Sequence, residues 1–254
     1  MAKNSGRLSS TSSWASTTEV KRRASILMLG LLAVACASAK SPEPTQAAGV
    51  MAPPLAAPAL DTARIARLTN ATRPDQPVQI LFDWTLQDRD FKVQGKGIVR
   101  MQGPYHARLD LFAMQDVQVL RASLINDKLD LVYSGPSVPL PPVEFVWSVV
   151  GVFRAPAGAT PTALTNSGDV VTLSFDAGSA HWRFRADSTT LKGAEWLGED
   201  GARRTVELTG PYRFGRPAKA VYRDWREFRE LGLNVTAVDV VEPFAPEIWN
   251  VSNR

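Results

Sequence analysis

The feature that most limits what this chain can fold into is a two-residue alternation that keeps restarting. Ile80, Phe82, Trp84 and Leu86 are apolar, and Leu81, Asp83, Thr85 and Gln87 stand between them. Successive side chains of a strand point to opposite faces, so this stretch lays four large apolar groups on one face of a sheet. Strand-like stretches follow over residues 91–101, 106–112, 117–125 and 128–133. Gly95 and Gly97 in the second of them mark a bulge or a close backbone approach. Asn126-Asp127 suits a tight hairpin. Intervals this short leave no room for the crossover of about a dozen residues that a parallel pair needs. The expected sheet is antiparallel.

Strands resume over residues 170–175, turn at Asp176-Ala177-Gly178 and continue over 181–185, 191–197 and 203–208. Asp200-Gly201 is a second hairpin signal between the last two. The tail offers 218–228 and 233–241, although Trp225, Phe228 and Leu231 also fit a helical spacing. Gly-Pro-Tyr occurs at 103–105 and again at 210–212, each time before a predicted strand, as a repeated turn would.

Two segments break the period. Asp61 can cap a helix running to about Ala71, with Leu60 and Ile65 as a hydrophobic staple. Pro141 and Pro142 then precede residues 143–153, where Val143, Val146, Trp147, Val150 and Phe153 share one helical face. That predicts a short, very apolar helix, with a buried strand as the rival. A curved sheet with one apolar face needs a cover, and such a helix can supply it. Ile80, Phe82 and Trp84 from the sheet, with Val146, Trp147 and Val150 from the helix, are the candidate lining of a cavity between them. The rival reading of the many tryptophans is a filled core.

Catalytic and metal signatures are sparse. His106 and His181 are the only histidines, and neither has Cys or paired Glu at metal-ligand spacing. Both read as half-exposed structural residues, and no metal or cofactor is expected. There is no G-x-S-x-G elbow, P-loop or dinucleotide fingerprint. The carboxylate pairs Asp83/Asp88 and Asp224/Glu227 are what chance places on a charged surface. No enzymatic activity is predicted.

The start of the chain is of another kind. Lys21-Arg22-Arg23 precedes an apolar run over residues 24–35, short of the roughly twenty residues that span a bilayer. The run ends in Ala33-Val34-Ala35-Cys36, the only cysteine of the 254 residues. A basic flank, a short apolar core and small residues make a secretory signal. With the cysteine they resemble the lipobox of bacterial lipoproteins, which implies cleavage before Cys36 and acylation of its thiol and new amino group. Several acyl chains hold a protein on a membrane where one gives only marginal binding. Ala37, where an aspartate is absent, implies by the same resemblance sorting to the outer membrane, facing the periplasm. Residues 1–35 thus read as a signal peptide, 36–59 as a lipidated start followed by a Pro/Ala-rich, extended and disordered tether, and 60–254 as the β domain.

Removing the targeting segment also removes the apparent basicity. Of 29 basic residues five precede Cys36, and of 25 acidic residues only Glu19 does, which leaves 24 of each. A balanced mature chain gives no reason to expect a nucleic-acid partner. The expected membrane contact is the lipid anchor.

Residues 82–132, with the first helix, the strand ending near Trp84, the Gly95-x-Gly97 strand, Arg108-Leu-Asp-Leu-Phe112 and the hairpin, resemble bacterial outer-membrane lipoproteins related to the lipoprotein-localisation (LolA/LolB-like) group. The resemblance implies an incomplete antiparallel β-barrel around apolar space, closed by helices. It also implies a protein that binds or passes on lipid or the acyl chains of lipoproteins. The lipoprotein-receiving members use an exposed apolar loop residue, for which no equivalent is assigned here. The rival expectation is an envelope scaffold or accessory subunit that acts through its surface. A hydrolase of envelope components is the third.

Overall fold

The computed structural model describes residues 61–133 and 138–251. The predicted signal segment, Cys36, the tether and the Leu60 half of the staple lie outside the described residues. The first helix, α1 (Thr62–Thr72), opens as expected on Asp61, whose Oδ1 accepts from the Arg64 amide at 3.0 Å. It stops at Arg73, which must be extended because Pro74 follows.

Five strands come next: β1 (Val78–Gln87), β2 (Lys92–Gln102), β3 (His106–Phe112), β4 (Gln118–Ile125) and β5 (Lys128–Tyr133). The second helix, α2 (Val143–Val149), separates them from seven more. These are β6 (Thr160–Ser167), β7 (Val170–Ala177), β8 (Ala180–Ala186), β9 (Leu191–Leu197), β10 (Arg203–Thr209), β11 (Lys219–Asp224) and β12 (Arg229–Val240). All twelve form one sheet in the order β5-β4-β3-β2-β1-β12-β11-β10-β9-β8-β7-β6, antiparallel throughout. It is two meanders joined where the first strand pairs with the last, from Val78↔Val240 to Gln87↔Glu230. β5 and β6 are the two edges, so the sheet is open.

One face of this sheet is covered by α2 and is called the inner face here. Ile80, Phe82, Trp84 and Leu86 point to it and are almost fully buried, as their alternation requires. Gly95 and Gly97 lie opposite Trp84 and Phe82 with no register shift, so they serve a close approach and not a bulge. A Cβ on Gly97 would run into the Phe82 ring and Leu111. Every described residue of the core lies at Ile65 or beyond. The chain from residue 37 onward therefore contains all of the described core.

One strand is unexpected, and two expectations are corrected. Residues 160–167 form a strand that carries no sequence signal. Of its eight residues only Leu164 is buried, because β6 is an edge with one neighbour. The helical spacing at Trp225, Phe228 and Leu231 does not make a helix. Residues 225–228 are the turn between β11 and β12, with Phe228 at φ 54° and the two rings 50% and 66% exposed. Asp224 fixes that turn by accepting from the Arg226 and Glu227 amides. The two Gly-Pro-Tyr copies are not one repeated turn. The first contains a cis Gly103–Pro104 bond, whereas in the second Gly210 sits at φ 87°.

On the outer face the segment after β12 wraps over β3 and β4 through a 3-10 turn, Pro246–Trp249. Beneath it Asp110 accepts from Arg100, Arg108 and Gln118, and Arg108 reaches the Ile248 carbonyl at 2.8 Å. His106 is half-buried against Trp249, and exposed His181 bonds Asp176 at 2.6 Å. His106 is the half-exposed residue expected, and His181 is more exposed than that.

Candidate functional site

α2 is a helix and not the rival strand, because its apolar side chains recur at helical spacing. It ends at Val149. Gly151 follows at φ 79°, a left-handed position that stops a helix cheaply only for glycine. A Cβ there would also press on Pro217 at 2.8 Å. Val150, Val152 and Phe153, read as part of the helix, are buried just after it.

Beneath α2 lies an apolar void of about 50 Å³. Its floor is Phe82 and Trp84 of β1, Val99 of β2, Leu109 and Leu111 of β3, Ala122 and Leu124 of β4, and Leu231 and Leu233 of β12. Its roof is Val146, Trp147, Val149 and Val150, with Leu140 and Pro141 at the helix entry. Of the candidate lining residues, Phe82, Trp84, Val146, Trp147 and Val150 are therefore brought together around one space. Ile80 is not among them. It lines a second void of about 10 Å³ whose walls share Phe82, Val99, Val149, Val150 and Leu233 with the first.

The polar atoms near the larger void are occupied. Trp84 Nε1 donates to the Lys96 carbonyl at 3.0 Å, and Trp147 Nε1 to the Asn126 carbonyl at 2.9 Å. Both indoles thus leave only hydrocarbon facing the space. Arg108 borders it, but its guanidinium is committed to Asp110 and Ile248. The void is dry in character, since a water needs polar partners that its walls do not offer.

The roof is pinned at its C-terminal end. Arg154 makes two bonds of 2.7 Å to Asp127 and lies over the Tyr105 ring, while Trp147 meets that ring edge-on. Thr72 Oγ1 accepts from the Phe153 amide at 2.9 Å. Arg216 donates to the carbonyl of Thr72, the last residue of α1, at 3.0 Å and to that of Val150, the residue after α2, at 3.3 Å. At the other end Pro142 provides no side-chain cap, and the helix is held there by the Phe145 ring, buried against Trp182 and Tyr222. Arg216 was not among the sequence candidates. In Arg213-Phe-Gly-Arg216 nothing distinguishes it from its neighbour.

In each carboxylate pair read as a chance pair, one member has a structural duty. Asp224 accepts from Arg204 at 2.8 Å besides fixing its turn. Burial raises its pKa, but Arg204 and the turn amides outweigh burial and hold it below the ordinary carboxylate range. Asp88 bonds Arg229 and the Arg89 amide. No cluster of three metal-ligating side chains occurs among the described residues.

Solved structures share this fold. A LolA superfamily protein from Nitrosomonas europaea overlays with a TM-score of 0.52 at 12% identity, over 74% of this chain and 96% of that one. A DUF1329 family protein from Desulfovibrio piger gives 0.51 at 7% identity, over 75% and 97%. The fold is LolA-like. No protein-family model matches the chain by sequence, and the search of curated proteins finds no match either. At these identities the LolA-like assignment is one of fold.

Proposed function

We propose that this protein binds an acyl chain of a lipid or lipoprotein between α2 and the inner face of its LolA-like sheet. We further propose that it does so at the outer membrane, facing the periplasm and held by lipid on Cys36. The observation that carries the reading is the void beneath α2, walled by hydrocarbon and roofed by a short apolar helix. Each methylene moved from water into such a space contributes about 0.8 kcal/mol.

The void as described is a closed state. Its 50 Å³ is well below the roughly 150 Å³ that holds a benzene and the 300 Å³ or more of ordinary ligand sites. Binding therefore requires α2 to lift from the sheet. An acyl chain then replaces the helix's own apolar face against the sheet.

The test uses the chain from residue 37 onward and radiolabelled long-chain lipids in equilibrium dialysis. Saturable binding supports the reading. The reading fails if there is no binding, or if binding is unchanged when a disulfide ties α2 to the sheet. For the anchor, Cys36→Ala in the full chain is expected to abolish palmitate labelling and to move the protein from the membrane to the soluble or unprocessed fraction. Retention of label would remove Cys36 as the attachment point.

A further inference from the structure

Four charged side chains are buried among the described residues: Arg108, Asp110, Arg216 and Asp224. Arg108 and Asp110 hold each other, and Asp224 holds Arg204. Arg216 alone touches no opposite charge. It is 4% exposed. Of its five N–H donors, one at Nη1 goes to the Val150 carbonyl and one at Nη2 to the Thr72 carbonyl. Nε is buried with no partner.

Burial lowers its pKa, partly offset by the field of Asp75, to about 10, so it stays charged at neutral pH. Two helix-end carbonyls do not require a cation; a neutral amide could bond them. A buried guanidinium without a counter-ion is costly, and that cost is already met in the closed state. An anion arriving there recovers part of it.

The position says which anion. Arg216 lines the smaller void together with Ile80, Pro217 and Ala220, and that void shares five wall residues with the larger one. The two voids are separate in this structure, and Arg216 borders the smaller one through its carbon atoms; joined by the lifting of α2, they would make a hydrocarbon path with Arg216 at one end, beside the helix's C-terminal end. The far end of the path lies near Leu140 and Pro141. We propose that Arg216 receives the carboxylate of a single-chain fatty acid whose tail lies in the path beneath α2. This rests on the acyl-chain reading above and narrows it to free acids, because chains in ester or amide linkage bring no carboxylate. The planar guanidinium has the free donors to hold a carboxylate side-on, with Nε among them.

The test compares palmitic acid with hexadecanol, equal in length and differing in the head group. The protein is the chain from residue 37 onward, dialysed against each radiolabelled ligand at pH 8. The acid is expected to bind about tenfold or more tightly than the alcohol, the size of a charge-assisted contact. Lowering the pH through the carboxylate's range should weaken the acid and leave the alcohol unchanged. Arg216→Met should bring the acid down to the alcohol's affinity while the alcohol is retained, and Arg216→Lys should restore part of the preference. Equal wild-type affinities, or a folded Arg216→Met variant that still prefers the acid, would overturn the proposal and leave acyl-chain binding standing. If neither ligand binds, both readings fall. Should Arg216→Met not fold, the wild-type comparison and its pH profile still decide.

Discussion

The inner face of the sheet is built in two ways on its two sides of the β1–β12 seam. On β7, β8 and β9 it carries Phe175, Trp182, Phe184 and Trp196. Phe153 stacks edge-on against Phe184 at 5.0 Å, and Phe145 meets Trp182 at 4.9 Å and Tyr222 at 5.5 Å. On β2, β3 and β4 the same face carries Gly95, Gly97, Val99, Met101, Ala107, Leu109, Leu111, Leu120, Ala122 and Leu124, with no aromatic ring. The helix roof spans side chains too small to reach it there, and the void lies on that side. One half of the sheet holds the roof; the other leaves space beneath it. A fold with a single sheet can thus combine a rigid core with a site, by the choice of side-chain volume on facing strands.

Deleting a ring on the filled side should have the largest effect. Phe184→Ala is expected to lose about 3–5 kcal/mol of stability in urea unfolding, since a fully buried ring leaves a cavity its neighbours cannot close. A loss under about 1 kcal/mol would mean that side is no better packed than the other. Next comes Gly97→Ala, which drives a methyl into Phe82 and Leu111 and should cost about 1–3 kcal/mol by overpacking. If it is neutral, the floor under Phe82 is looser than described.

Filling the open side should act on binding more than on stability. Ala122→Leu is expected to leave the urea midpoint near wild type and weaken acyl-chain binding about tenfold, as an occupied void no longer offers its hydrocarbon to a ligand. Unchanged binding would place the ligand elsewhere.

The smallest effect expected is a pH dependence. Asp224 is held below its ordinary pKa, so its stabilisation is full above the unfolded value near 4 and is lost as pH falls through the lower folded value. Asp224→Asn should therefore lower stability at pH 7 and flatten its decline in acid. A decline as steep as wild type would assign the acid sensitivity to other carboxylates.

Much of this was legible in the sequence where burial and periodicity coincide. β1 alternates because one face is buried and the other wet, and the helix under Val146 and Trp147 could be read because its apolar residues recur at helical spacing. β6 was not legible, since an edge strand with one buried residue has no pattern to show. Five lining residues could be named, but Val99, Leu111, Ala122, Leu124, Leu231 and Leu233 could not. Their meeting depends on the register of five strands and on β12 returning beside β1. Arg216 was illegible for a stronger reason: its isolation from any carboxylate is a property of the packed interior alone.

That return of β12 has a kinetic consequence. The contact at the centre of the sheet joins the first strand to the last, from Val78 to Val240, so the longest loop in the chain closes at its middle. Loop closure must precede the reward of pairing, and chains dominated by distant contacts fold slowly. A chain stopped before Arg229 lacks the strand that joins the two meanders. The complete sheet therefore has to wait for its last strand, a useful property in any polypeptide that must be threaded through a membrane before it takes shape.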